Sequence, residues 1–160
     1  MYHVCNRGSR KGVLFDSYEE FASFLALIRR ACTKLPMRII AYCLMRTHFH
    51  LLLWPSGDDD IPRFMHWLTA THARHWHESR GSIGTGAVYQ GRYVSVPITD
   101  GQHYFTALRY VERNAREAGI VLTAERWPWS SASRERDGDV QLSPGPYIRP
   151  SNWTEILNSD

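Results

Sequence analysis

Lysine is almost missing from this chain of 160 residues: Lys11 and Lys34 are two of its 19 basic side chains, and arginine supplies the rest. Cysteine is scarce too. Cys5, Cys32 and Cys43 stand far apart in no ligand-like spacing, which excludes a disulfide scaffold and fits a reducing compartment. Long apolar runs are absent. Ile39–Met45 and Leu51–Trp54 fall far short of the roughly 20 residues a bilayer-crossing helix needs. The first residues hold no apolar stretch of the signal-peptide kind, so the expectation is a soluble cytoplasmic protein with no membrane partner. An apolar fraction of 43% excludes wholesale disorder and suits one domain of ordinary size.

What is present leans basic and aromatic. The formal net charge is +3, with a pI near 8.9. Arginine carries a planar fork that suits phosphate and stacks on bases. It gathers with aromatic residues at Arg74-His75-Trp76-His77 and at Gln90-Gly91-Arg92-Tyr93. Composition alone leaves a nucleic-acid surface and an ordinary solvated one equally open.

Periodicity predicts a short strand over Tyr2–Asn6 and a basic, glycine-rich loop over Arg7–Gly12. Asp16 or Ser17 can cap a helix beginning near Tyr18, whose apolar face is Phe21, Phe24, Leu25 and Ile28; Pro36 ends it. Arg38–Leu44 and His48–Trp54 read as an antiparallel hairpin across Met45-Arg46-Thr47. A second helix follows with Pro62 in its first turn, then a strand over Ala87–Ile98 with Gly91 as a bulge or a point of close approach. The third helix is Gln102–Ala118, stopped by Gly119. This order, β-α-β-β-α-β plus a helix, predicts an α+β, ferredoxin-like split β-α-β sandwich. Its four-stranded antiparallel sheet would carry an added C-terminal helix. The domain is expected over 1–131, and 132–160 reads as an extended C-terminal tail.

Two groups of residues can carry chemistry. His48-Phe49-His50 lies in a predicted central strand, so both imidazoles share one face and can meet one ion while Phe49 turns into the core. On the third helix, Tyr110 and Asn114 are four residues apart and share a face. Asn114 can offer an amide oxygen to a hard cation, and Tyr110 a phenolic oxygen that becomes a nucleophile on losing its proton. Each group has a bland alternative: an accidental histidine pair, and a tyrosine half-buried for packing. His72, His75 and His77 lie on different faces of one helix and are not expected to bind metal.

Taken together, the motifs resemble the single-tyrosine transposases of the HUH superfamily, and among them the REP-associated tyrosine transposases. The resemblance rests on Tyr2-His3-Val4, Asn6-Arg7-Gly8, Ala41-Tyr42-Cys43-Leu44-Met45, His48-Phe49-His50, Tyr89-Gln90-Gly91-Arg92-Tyr93, Leu108-Arg109-Tyr110-Val111-Glu112, Asn114 and Trp127-Pro128-Trp129-Ser130-Ser131. It implies that His48, His50 and Asn114 bind Mg²⁺ or Mn²⁺. It also implies that Tyr110 attacks a DNA phosphate, forms a 5′-phosphotyrosine and frees a 3′-hydroxyl. The implied substrate is single-stranded DNA bearing a small palindromic hairpin, without a nucleotide cofactor, and the implied assembly is a monomer or homodimer.

The chain also departs from that pattern. Arg46-Thr47 stands where relatives often carry Pro-Asn, which frees Arg46 to touch DNA. Ala115 replaces a common proline, so the third helix can run on. Relatives usually carry further residues before the Tyr-His-Val strand that help read a guide sequence; here Met1 directly precedes Tyr2, which leaves guide reading open. Arg7, Arg10, Lys11 and Arg92 are the other candidate DNA contacts. Two rival readings are a replication or conjugation initiator nuclease, and a host-adopted hairpin-binding protein that does not cut. As strand-surface groups, His48 and His50 are expected to contribute little to stability.

Overall fold

In the computed structural model, residues 1–135 and 139–160 are described, with the side chain of Lys11 outside the described set. Four strands form one sheet in the order β2-β3-β1-β4, every pair antiparallel: β1 (Tyr2–Arg7), β2 (Arg38–Met45), β3 (His48–Trp54) and β4 (Val94–Pro97). The principal helices are α1 (Tyr18–Lys34), α2 (Asp60–Arg80) and α3 (Gly101–Glu117), with a short α4 (Trp153–Asn158) near the end. This is the ferredoxin-like α+β arrangement that the element order predicts.

Local chemistry sets the helix ends. Ser17, rather than Asp16, caps α1: its hydroxyl accepts from the Glu20 backbone N–H, while the Glu20 carboxylate accepts from the Asp16 N–H. Asp100 caps α3 through the His103 N–H at 2.8 Å. Gly119, at φ 69°, takes the left-handed conformation that closes the helix end, which favours a residue without Cβ.

The strands β2 and β3 are buried on both faces, whereas β4 is exposed. Val4, Phe49, Leu51 and Leu53 pack with Phe24, Leu25, Phe64 and Leu68 of α1 and α2. On the opposite face Cys43, Met45 and Leu52 pack with Leu108, Val111 and Ala115 of α3. A register shift between Ile39 and Ala41 puts the consecutive residues Ile40 and Ala41 of β2 into the same, α3-side core. Alternation along β3 therefore directs the even-numbered side chains, His48 and His50 among them, to the α3 side.

Two sequence expectations need correction. The strand expected over Ala87–Ile98 is regular only over Val94–Pro97. Its first part is an irregular loop pinned by single bonds, Ser9 N–H to Val88 O and Gln90 N–H to Arg7 O, which substitute for a ladder. No close contact explains Gly91, because a Cβ built there meets nothing.

The segment expected as an extended tail is instead docked, with Val140, Trp153 and Leu157 buried. Residues 127–133 run along β2. Leu44 N–H donates to Trp129 O, Ser131 N–H to Tyr42 O, and the Trp127 indole to Leu44 O. Farther on, Ser143 N–H donates to Ile39 O. The exposed β2 edge is thus covered, one way proteins avoid edge-to-edge association. Composition could not show this, because the anchors are isolated apolar residues among Gly, Pro and Ser.

Candidate active site

His48 and His50 project from β3 toward α3, and α3 brings Tyr110 and Asn114 over them. The His50 and Tyr110 rings meet edge-on with centroids 5.3 Å apart, and His48 and His50 lie 5.1 Å apart at 87°. His48 and Asn114 line one cleft together with Tyr110. The four residues therefore form one cluster within a single chain. Tyr110 remains 47% exposed and lines an open cleft.

The other tyrosines near possible DNA surfaces are placed differently. Tyr104 is fully buried. The hydroxyl of Tyr89 is spent on His72 Nδ1 at 2.6 Å, inside the α1–α2 core. Tyr93 is half-buried beside Arg92, in a cleft of about 660 Å³ between α2 and the loop before β4.

Burial sets the charge state of the imidazoles. His50 is only 5% exposed, and desolvation, with the charges of His3, His48 and Arg7, holds it at about 3. His48 is lowered for the same leading reason. Both are neutral near pH 7, as metal ligation requires. Each uses its Nδ1 within the protein: His48 with the Thr47 hydroxyl at 3.1 Å, His50 with His3 Nε2 at 3.0 Å. Each is left Nε2, and with the Asn114 amide oxygen they make a nitrogen–oxygen donor set with open positions. That set suits an exchangeable divalent cation with open positions better than it suits a closed four-ligand structural site. Among the described residues there is no cluster of three or more His, Cys, Asp or Glu side chains suited to a metal.

The burial of His50 corrects one expectation. It is not a strand-surface group. It is stacked on His3 at 5.2 Å and covered by Tyr110, and truncating it would leave a cavity.

His48 divides two clefts. One, of about 620 Å³, runs along α3 past Tyr110, Asn114, Arg109 and Arg113. The other, of about 480 Å³, is lined by Arg7, His48, His50, Gln90 and Arg92. Among the candidate DNA contacts, Arg7 and Arg92 are thus brought to the histidine pair. Arg10 is exposed, in a left-handed conformation at φ 53°, and lines neither cleft. Arg46 is exposed and paired with Asp16. Arg109 and Arg113, beside the tyrosine, escaped the sequence reading; both are held by the C-terminal residues, donating to Ser159 O. Their spacing around Tyr110 on one helix was the signal available. His3 was also missed as a site residue, although it touches both His50 and Tyr110.

An exposed phenol on one helix, a neutral imidazole pair on the facing strand and arginine-lined clefts describe an enzyme built for a phosphodiester. The family described as "Transposase IS200 like" matches residues 1–114, a span that contains His48, His50, Tyr110 and Asn114. The chain belongs to this family and is a transposase, a DNA-binding enzyme of transposition. It is 26% identical over 151 residues to the Haemophilus influenzae protein named "Putative REP-associated tyrosine transposase", covering 89% of this chain and 80% of that protein. It also superimposes on the structure of a REP-associated tyrosine transposase bound to a REP hairpin. The TM-score is 0.66 at 19% identity, over 93% of this chain and 92% of the other. Among the described residues no helix is long and apolar enough to cross a membrane.

Proposed function

We propose that this transposase cleaves and rejoins single-stranded DNA beside a small palindromic hairpin, with Tyr110 as nucleophile. The observation that carries the reading is the half-exposed Tyr110, edge-on to His50 and one helical turn before Asn114, in the cleft that His48 also lines. The hairpin bound to the structural neighbour supports the substrate class, as do the clefts that flank His48.

Tyr110 Oη would attack phosphorus in line with the bond to the 3′ oxygen. A phosphotyrosine bond forms to the 5′ side and the P–O3′ bond breaks. The phenol gives up one proton and the leaving 3′ oxygen takes one up, so the step neither gains nor loses protons. Bond energy stays in the ester, and a 3′-hydroxyl from another strand can reverse the step without a nucleotide cofactor.

His48, His50 and Asn114 would hold Mg²⁺ or Mn²⁺, which supplies charge neutralisation at the phosphate oxygens and removes their repulsion of a phenolate. Arg7 and Arg92 border the adjoining cleft, where their forks can hold the backbone of the unpaired strand. Because Tyr110 faces the histidines of its own chain, the reading favours a site complete in a monomer.

The test is a hairpin oligonucleotide with single-stranded flanks, labelled on the 3′ side of the cut. With Mn²⁺, wild type should yield a denaturant-resistant protein–DNA adduct, and Tyr110→Phe should bind DNA but form none. An adduct that persists in Tyr110→Phe would remove the nucleophile assignment. Firm binding by wild type with no adduct at all would favour a hairpin-binding protein that does not cut.

A further inference from the structure

His3 lies outside the histidine pair of β3 and outside the tyrosine helix, yet it touches both. On β1, His3 pairs with Leu52 and Cys5 with His50. His3 is therefore the diagonal neighbour of His50 on the same face of the sheet, within reach of a long or aromatic side chain. The reach is used: His3 Nε2 and His50 Nδ1 are 3.0 Å apart, and the rings stack at 5.2 Å and 29°. The edge of His3 also meets Tyr110, with centroids 5.6 Å apart.

An imidazole that ligates a cation through Nε2 must carry its proton on Nδ1. That N–H needs an acceptor, and the acceptor fixes both tautomer and ring orientation. His48 finds its partner in the hydroxyl of the preceding residue, Thr47. For His50 the partner is 47 residues away, across the sheet.

Resting on the cation-binding reading above, we infer that His3 is a positioning residue. It accepts the Nδ1–H of His50, so that His50 presents its Nε2 lone pair toward the cation, and its ring edge holds Tyr110 over the same point. His3 acts through His50 and Tyr110 and does not itself touch the reacting phosphate. The tautomer is assigned from the hydrogen bond, and it can be read directly.

The experiment uses the full chain without DNA. Side-chain ¹⁵N NMR on the metal-free wild type should show His50 protonated at Nδ1, and an Nε2–H tautomer would overturn the inference. Mn²⁺ binding is then followed by the loss of the free-ion electron paramagnetic resonance signal. His3→Leu should weaken Mn²⁺ binding by roughly 10- to 100-fold, the usual effect of losing such a partner. His3→Gln keeps an acceptor oxygen near the Nε2 position and should recover most of that loss.

Mn²⁺ affinity within about twofold of wild type in His3→Leu would overturn the positioning role. So would a glutamine variant as weak as the leucine one, since ring shape alone would then matter. A wild type whose Mn²⁺ binding is absent, or is untouched by His48→Ala, overturns the cation site itself. That outcome is distinct from a wild-type site that binds normally and ignores His3.

Discussion

Glu112 is a carboxylate with no solvent exposure, on the buried side of the helix that carries Tyr110. Its oxygens accept from the Ser131 hydroxyl at 2.7 Å, the Trp153 indole at 2.7 Å and the Arg149 guanidinium at 2.9 Å. It joins α3 to the chain that follows it. Removing one partner of a buried ion pair commonly costs about 3–5 kcal/mol. In Glu112→Ala the indole N–H of Trp153, itself nearly buried, loses its acceptor, worth about 1–3 kcal/mol.

Two details pull the total down. Arg149 is 34% exposed and can return to water, and the Ser131 hydroxyl still accepts from the Tyr42 N–H. The expected loss is therefore about 3 kcal/mol, which for a chain of this size lowers Tm by roughly 6–12 °C. Glu112→Gln keeps one acceptor oxygen and should cost about half as much. Calorimetry at neutral pH on the three proteins decides the matter. A Glu112→Ala protein melting within about 2 °C of wild type, or a glutamine variant no better than alanine, would refute the claim that this carboxylate anchors the C-terminal segment.

Two further outcomes can be measured readily. Burial holds His72 at about 4, so it stays neutral in the folded chain while the unfolded one takes up a proton below about 6.5. The unfolded state then binds more protons between pH 6.5 and 4, and stability should fall through that window as pH drops, by about 3 kcal/mol from His72 alone. His72→Asn can retain the bond to Tyr89 and should flatten the slope of Tm against pH; an unchanged slope would exonerate His72. At the active site, His48→Ala and His50→Gln should abolish DNA cleavage in chains that remain folded, and Asn114→Ala should cost less because water can replace one amide ligand. A chelator should reproduce the histidine effects and Mg²⁺ or Mn²⁺ should reverse them, whereas full cleavage in excess EDTA would show that the pair has another task.

The sequence disclosed features governed by local rules. Ser17 and Gly119 mark helix ends because each satisfies or terminates the backbone within a few residues. The strand β3 was legible because alternation separates His48 and His50 from Phe49 and Leu51. What escaped depends on contacts distant in sequence. The loop over residues 87–93 has the composition of a strand, but Tyr89 is held by His72 on α2 instead of by a ladder. The docked C-terminal segment depends on Glu112, which falls on the apolar stripe of α3 four residues after Leu108 but whose charge masked its burial. His3 stood in the Tyr2-His3-Val4 motif, yet its bond to His50 needs the pairing of β1 with β3 to be known. Burial of His50 was missed for the same reason, since its cover comes from β1 and α3.

Because β3 is buried on both faces, the chemistry depends on parity as well as on residue identity. His48, His50 and Leu52 face α3, while Phe49, Leu51 and Leu53 fill the opposite core. Gaining or losing one residue at Arg46-Thr47, if the turn kept its length and β3 slid by one residue against β1 and β2, would turn every one of these side chains to the other face. Both imidazoles would enter the layer of α1 and α2, and Phe49 would stand before Tyr110. The turn is fastened on its outer side, where Arg46 O accepts from the Leu14 and Phe15 N–H groups and Thr47 O from the Gly8 N–H. Loop length here is therefore a constraint of a different kind from the identity of any single ligand. While those outer bonds hold the turn at its present length, one inserted or deleted residue would cost the site its facing histidines, whereas a substitution in the turn would not.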